Sequence, residues 1–86
     1  MVEKEFVVQS DAGIHARPAS MLVKLAMGFP CEVFIEKDGV EANAKSIMGV
    51  LSLAITQGSK LIIRAVGEKE EEACTQLLEL FKSDFK

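Results

Sequence analysis

Cys31-Glu32-Val33-Phe34-Ile35-Glu36-Lys37-Asp38-Gly39-Val40-Glu41-Ala42-Asn43 reads as two short extended runs joined by an aspartate-glycine pair. Cys31, Val33 and Ile35 alternate with Glu32, Phe34 and Glu36, the period of two expected of a strand half buried on one face. Asp38-Gly39 is the turn chemistry of a tight hairpin, so the chain doubles back into a short strand around Val40 to Asn43. On the N-terminal side of the hairpin, Ala19, Leu22 and Ala26 repeat at helical spacing. They predict a helix from Ala16 to Met27, stopped by Gly28-Phe29-Pro30. Residues 3–9 before it alternate as a first strand with Phe6 and Val8 inward.

Beyond the hairpin, a short helix from about Ile47 to Leu53 is expected, closed near Gln57-Gly58. Lys60 to Val66 makes the last strand, with Leu61, Ile63 and Ala65 on one face. Gly67 breaks that pattern, and Glu68, Glu70, Glu71 and Glu72 load the start of a final helix with charge that suits its dipole. The inner stripe of that helix is Ala73, Cys74, Leu77, Leu78 and Phe81. The order β-α-β-β-α-β-α buries best as an α+β, two-layer arrangement, a mostly antiparallel sheet with three helices on one face. The expectation is a single domain over residues 1–86, with no repeats or linkers.

Composition narrows the function classes. With 49% hydrophobic and 27% charged residues, the chain reads as a soluble globular protein. A formal net charge of -3 argues against general nucleic-acid binding, which needs clustered Lys and Arg. The chain has no Tyr or Trp to serve as a stacking platform for RNA. Its charged N-terminus and lack of long apolar runs predict a cytoplasmic protein without membrane insertion. Cys31 and Cys74 are expected to be reduced core thiols.

Gly13-Ile14-His15-Ala16-Arg17-Pro18-Ala19-Ser20 contains the chain's only histidine. Proline is tolerated in a first helical turn because the amide it lacks would be unpaired there. His15 therefore falls at or just before a helix N-terminus, where orphan N–H groups and the macrodipole present positive charge. An imidazole so placed stays neutral and nucleophilic, and a phosphoryl group attached to it would be welcomed by those N–H groups and by Arg17. A partial cap or an ordinary surface histidine is the plainer reading of the same eight residues. No metal or cofactor is expected, since one histidine and two widely separated cysteines lack the close pairing of zinc ligands. Ser10, Asp11 and Ser20 crowd His15 in sequence, yet a triad is defined in space and crowding supplies no oxyanion hole.

Ala44 to Ile55 is apolar nearly all the way round once wound as a helix. If Val50, Leu53 and Ala54 face the sheet, Met48 and Leu51 lean outward with Ile47 at the boundary. Contiguous exposed apolar surface suits a partner site; a loosely packed core helix with methionine filling gaps is the alternative. Ser46 has the chemistry of an N-cap, and a phosphate there would place negative charge beside the apolar patch. On the first helix Arg17, Ser20 and Lys24 share the exposed face, flanked by Met21.

Gly13-Ile14-His15-Ala16-Arg17-Pro18-Ala19, together with Lys45-Ser46-Ile47-Met48-Gly49-Val50-Leu51-Ser52-Leu53, resembles HPr, the histidine-containing phosphocarrier family of the bacterial phosphoenolpyruvate:sugar phosphotransferase system. The resemblance runs the length of the chain and implies an open-faced β-sandwich with sheet order 1-4-2-3. It implies that His15 takes a phosphoryl group on Nδ1 from phosphorylated enzyme I and passes it to IIA domains of sugar permeases. Arg17 would steady that group, making the chain a carrier rather than an enzyme. Ser20, Met21, Lys24, Ile47, Met48 and Leu51 are the expected docking residues. The stretch Ser46-Ile47-Met48-Gly49 is similar to Gram-positive-type members, where an HPr kinase/phosphorylase modifies the serine and the product is a co-repressor for a catabolite control protein. A monomer is expected, and His15 separates the chain from regulatory paralogues that lack the histidine. Two positions depart from the pattern. Ala12 stands where Ser or Asn is common and cannot hydrogen-bond near His15, and Phe29-Pro30 replaces small polar residues.

Overall fold

Among the residues that the computed structural model describes, 1–9, 16–83 and 85, the elements run β1 (Val2–Val7), α1 (Ala16–Met27), β2 (Glu32–Lys37), β3 (Val40–Asn43), α2 (Ile47–Ser52), β4 (Lys60–Val66) and α3 (Glu70–Lys82). Asp38 and Gly39 both adopt left-handed φ, 52° and 80°, as a two-residue hairpin turn demands. That turn sets Lys37 opposite Val40 and Phe34 opposite Asn43. β4 then pairs antiparallel with both β1 and β2, giving the sheet order β1-β4-β2-β3. The architecture and strand order are those expected.

Alternation along the strands decides where the core lies. Leu61, Ile63 and Ala65 of β4 and Val33 and Ile35 of β2 are buried on one face. Against them pack Ala19, Leu22, Val23 and Ala26 of α1 and Ala73, Cys74, Leu77 and Phe81 of α3. Each fully buried leucine or isoleucine contributes about 1.5–3 kcal/mol. Phe6 meets Phe81 at 5.5 Å between ring centroids, and Phe85 packs edge-on to Phe81 at 5.1 Å. Cys31 and Cys74 are buried free thiols; burial pushes the Cys74 thiol above its usual range, and its single S–H has the carbonyls of Val2 and Ile63 within reach as alternative acceptors. On the opposite face Arg64 donates to Glu3 at 2.7 and 2.9 Å, to Glu36 at 3.3 Å and to Glu41. Among the described residues no helix is long and apolar enough to cross a membrane.

Three differences from the sequence reading bear on the core and the site. The first strand ends at Val7; Val8 is buried beyond it, exchanging hydrogen bonds of 2.9 Å with Ser59 and Gly58, so a turn replaces the strand partner. α3 starts at Glu70 rather than Glu68, because Gly67 (φ 123°) and Lys69 (φ 64°) adopt conformations that a right-handed helix excludes. The Glu70 carboxylate, held below its ordinary range by the terminal ammonium and then by the Gly67 N–H, accepts from that amide at 3.2 Å.

The third difference lies nearest the candidate site. α2 stops at Ser52 and Ala54 is exposed rather than facing the sheet, with φ 51°. Ile55 is buried, so the chain must reverse direction between Leu53 and Ile55 to bring it into the core. Helices commonly end on such a left-handed residue, but glycine is the usual occupant because a Cβ adds about 1–2 kcal/mol of strain. Ala54→Gly is therefore expected to stabilise the fold by about 0.5–1 kcal/mol after the extra freedom of the unfolded chain is subtracted. Thermal denaturation should show a rise of roughly 2–8 °C.

Candidate functional site

α1 begins at Ala16, so the residue immediately before its first turn in sequence is His15. His15 itself lies outside the described residues, as does Ala12. The first turn has no acidic residue, which leaves its positive end uncompensated by side chains within the helix. Pro18 and Ala19 are buried and anchor this end of the helix in the core. Arg17, Ser20 and Lys24 are exposed along one face, with Met21 half-buried beside them.

α2 packs against α1, which sets the second group of residues next to the first. Ser46 has extended backbone angles (φ -119°, ψ 117°), and its Oγ accepts from the Gly49 N–H at 3.1 Å, an N-cap as expected. A Cβ at position 49 would lie 3.4 Å from that Oγ, so glycine leaves the hydroxyl uncovered on this side. Only Val50 of the six helical residues is buried. Ile47, Met48 and Leu51 are 43%, 78% and 36% exposed, which answers the question the sequence left open: these side chains point away from the core. Lys45 fastens the entry to α2, its Nζ donating to the Phe29 carbonyl at 2.8 Å just past the end of α1. Asn43 completes the fastening by accepting from the Lys45 and Ser46 amides at 2.8 and 3.0 Å.

Two features of this surface escaped the sequence reading. Met27, taken only as the end of a helix, is 65% exposed. Met21, Lys24 and Leu25 line a shallow apolar depression with Leu80 of α3; Leu80 falls outside the inner stripe, and only its place in the fold reveals it. Among the described residues no three His, Cys, Asp or Glu side chains come together as metal ligands would. The arrangement offers a helix N-terminus with an exposed arginine, a serine that caps the neighbouring helix, and apolar surface on that helix.

Comparison with known proteins gives these features relatives. The family described as "PTS HPr component phosphorylation site" matches residues 2–83. The HPr-like protein Crh of Halalkalibacterium halodurans is 45% identical over 98% of this chain and 100% of its own. The phosphocarrier protein HPr of Borreliella burgdorferi is 42% identical over 96% of each chain. The crystal structure of HPr-C-His from Thermoanaerobacter tengcongensis superposes with a TM-score of 0.94 at 41% identity, over 99% of this chain and 96% of that one.

The expectation of a monomer is corrected by the same comparison. HPr of T. tengcongensis is also solved as a dimer (TM-score 0.80, 41% identity, 100% and 99% coverage). Crh of Bacillus subtilis forms a swapped dimer (TM-score 0.78, 42% identity, 96% and 95% coverage). Among the described residues β1 and β3 form the two edges of the sheet, and an edge strand can offer backbone groups to a second chain. Nothing in one chain's residue pattern therefore fixes how many chains assemble.

Proposed function

This chain belongs to the PTS-HPr family, and from that membership we propose that it is a cytoplasmic phosphocarrier that accepts a phosphoryl group on His15 from phosphorylated enzyme I and donates it to IIA domains of sugar permeases. The observation that carries this reading is the start of α1 at Ala16 within the Gly13 to Ala19 motif. The amides of Ala16 and Arg17 are first-turn donors with no intrahelical partner, and Pro18 has none to offer. A negatively charged group carried by the preceding residue would meet those donors and the exposed Arg17 guanidinium. The chain supplies the acceptor and the stabilising charge, and its partner enzymes supply the donor and the final acceptor, so it is itself turned over as a substrate. Incubation with phosphoenolpyruvate and enzyme I tests the reading: phosphate that is labile in mild acid, as a phosphohistidine is, supports it, and an unlabelled chain refutes it.

A second reading draws on the likeness to Crh, described in Bacillus subtilis as the catabolite repression HPr. In it the chain is a regulatory module whose working parts are Ser46 and the Ile47, Met48 and Leu51 patch, with His15 dispensable. The two readings share the patch, and in both an HPr kinase/phosphorylase acts on Ser46 and a catabolite control repressor binds the product. Ser20, Met21 and Lys24 extend the docking surface onto α1. A phosphate on Ser46 would add close to two negative charges at the edge of this surface and hinder enzyme I. Ser46→Asp is expected to weaken enzyme I binding modestly, by about two- to fivefold for one carboxylate at an interface rim. Met48→Ala should weaken it by roughly five- to tenfold, since the thioether is both exposed and adaptable. Isothermal titration against enzyme I reads both, with circular dichroism confirming the fold; unchanged affinity in both variants would remove α2 from the docking surface.

A further inference from the structure

Alternation along β2 places Lys37 on the same face as Val33 and Ile35, the face that carries the helices. A charge on that face needs partners. Lys37 Nζ finds them in the carbonyls of Leu53, at 3.0 Å, and Ala54, at 2.9 Å. These two carbonyls belong to the peptide groups on either side of the Ala54 Cα, so one ammonium holds both ends of the left-handed residue that terminates α2. Such a contact also suits the negative end of a helix.

The consequence follows from the size of α2. Six residues are too few for a helix to keep its shape on local hydrogen bonds alone. Val50 within it and Leu53 just past it are the buried anchors, while Ile47, Met48 and Leu51 face outward. Its N-terminal end is fastened by Ser46, Asn43 and Lys45, and its C-terminal end by Lys37. We propose that Lys37 is a positioning residue for partner docking: by pinning the Leu53 and Ala54 carbonyls it fixes the attitude in which α2 presents Ile47, Met48 and Leu51. The proposal rests on the docking reading given above, and Lys37 acts through the helix rather than through the partner.

Lys37→Met keeps the aliphatic stem and removes the donor. In phosphoryl transfer from enzyme I it should raise the KM for this chain about five- to tenfold, less than the direct loss of a charge-assisted hydrogen bond to the partner because Lys37 acts only through the helix, with kcat unchanged. Lys37→Arg should restore KM because a guanidinium can also donate to two carbonyls. Ala54→Gly in the Lys37→Met background should recover most of the loss by relaxing the turn that the lysine restrains. In the free variant Lys37→Met, amide hydrogen exchange at Leu53 and Ala54 should quicken about tenfold while Ile63 and Ala65 in β4 stay unchanged, a local opening that a general loss of stability would not mimic. Unchanged exchange at Leu53 and Ala54 overturns the proposal, as does a wild-type KM for Lys37→Met when Met48→Ala raises it. A wild-type KM for both variants, with faster exchange in Lys37→Met, overturns the docking reading and the proposal through it.

Discussion

His15→Ala is expected to abolish phosphoenolpyruvate-dependent labelling by enzyme I while leaving the protein folded. The chain has a single imidazole, so no second nitrogen of suitable pKa can take over. The candidate hydroxyl at Ser46 is occupied as the acceptor of an N-cap hydrogen bond and has no neighbouring base among the described residues. The fold rests on a core that includes Leu22, Val33, Ile35, Leu61, Ile63 and Leu77, which the variant leaves unaltered. Scintillation counting of the isolated chain, with thermal denaturation of the same preparation, checks both halves. Persistent label in the alanine variant would move the acceptor elsewhere.

Arg17→Ala should slow transfer to this chain by roughly 10- to 150-fold, the equivalent of about 1.5–3 kcal/mol for a hydrogen bond to a charged group. The side chain is exposed at the start of α1 and makes no contribution to the core, so its loss should not change the melting temperature measurably. Lysine at this position should recover only part of the rate, because a point charge replaces a planar fork matched to phosphate oxygens. Rapid-quench measurement of transfer under single-turnover conditions separates this loss from any change in docking. Wild-type rates for Arg17→Ala would leave the helix N-terminus as the sole stabilising feature.

Much of this was legible in the residues because the relevant signals are local. Asp38-Gly39 announces its own turn, the bounds of α1 and β4 follow from periodicity and flanking glycines, and the outward lean of Met48 and Leu51 follows from 100° per residue. What stayed hidden depends on distant partners. The end of α2 is set by Lys37, sixteen positions away from Leu53, and by the need to bury Ile55. The local signal in β2 is that Lys37 continues the inward phase of Val33 and Ile35. Phe85 is buried against Phe81, its N–H bonded to the Leu80 carbonyl at 3.1 Å, although it follows the end of α3 and belongs to no helical stripe. The gathering of Glu3, Glu36 and Glu41 around Arg64 needs the strand order before it can be seen.

The central claim is that this chain carries a phosphoryl group between two proteins, and onward transfer tests it most directly. The chain is labelled with phosphoenolpyruvate and enzyme I, separated from both, and mixed with a IIA domain. The label should leave this chain and appear on the IIA domain in equal amount. Label that stays on the chain, or is released as inorganic phosphate without reaching the IIA domain, would contradict it.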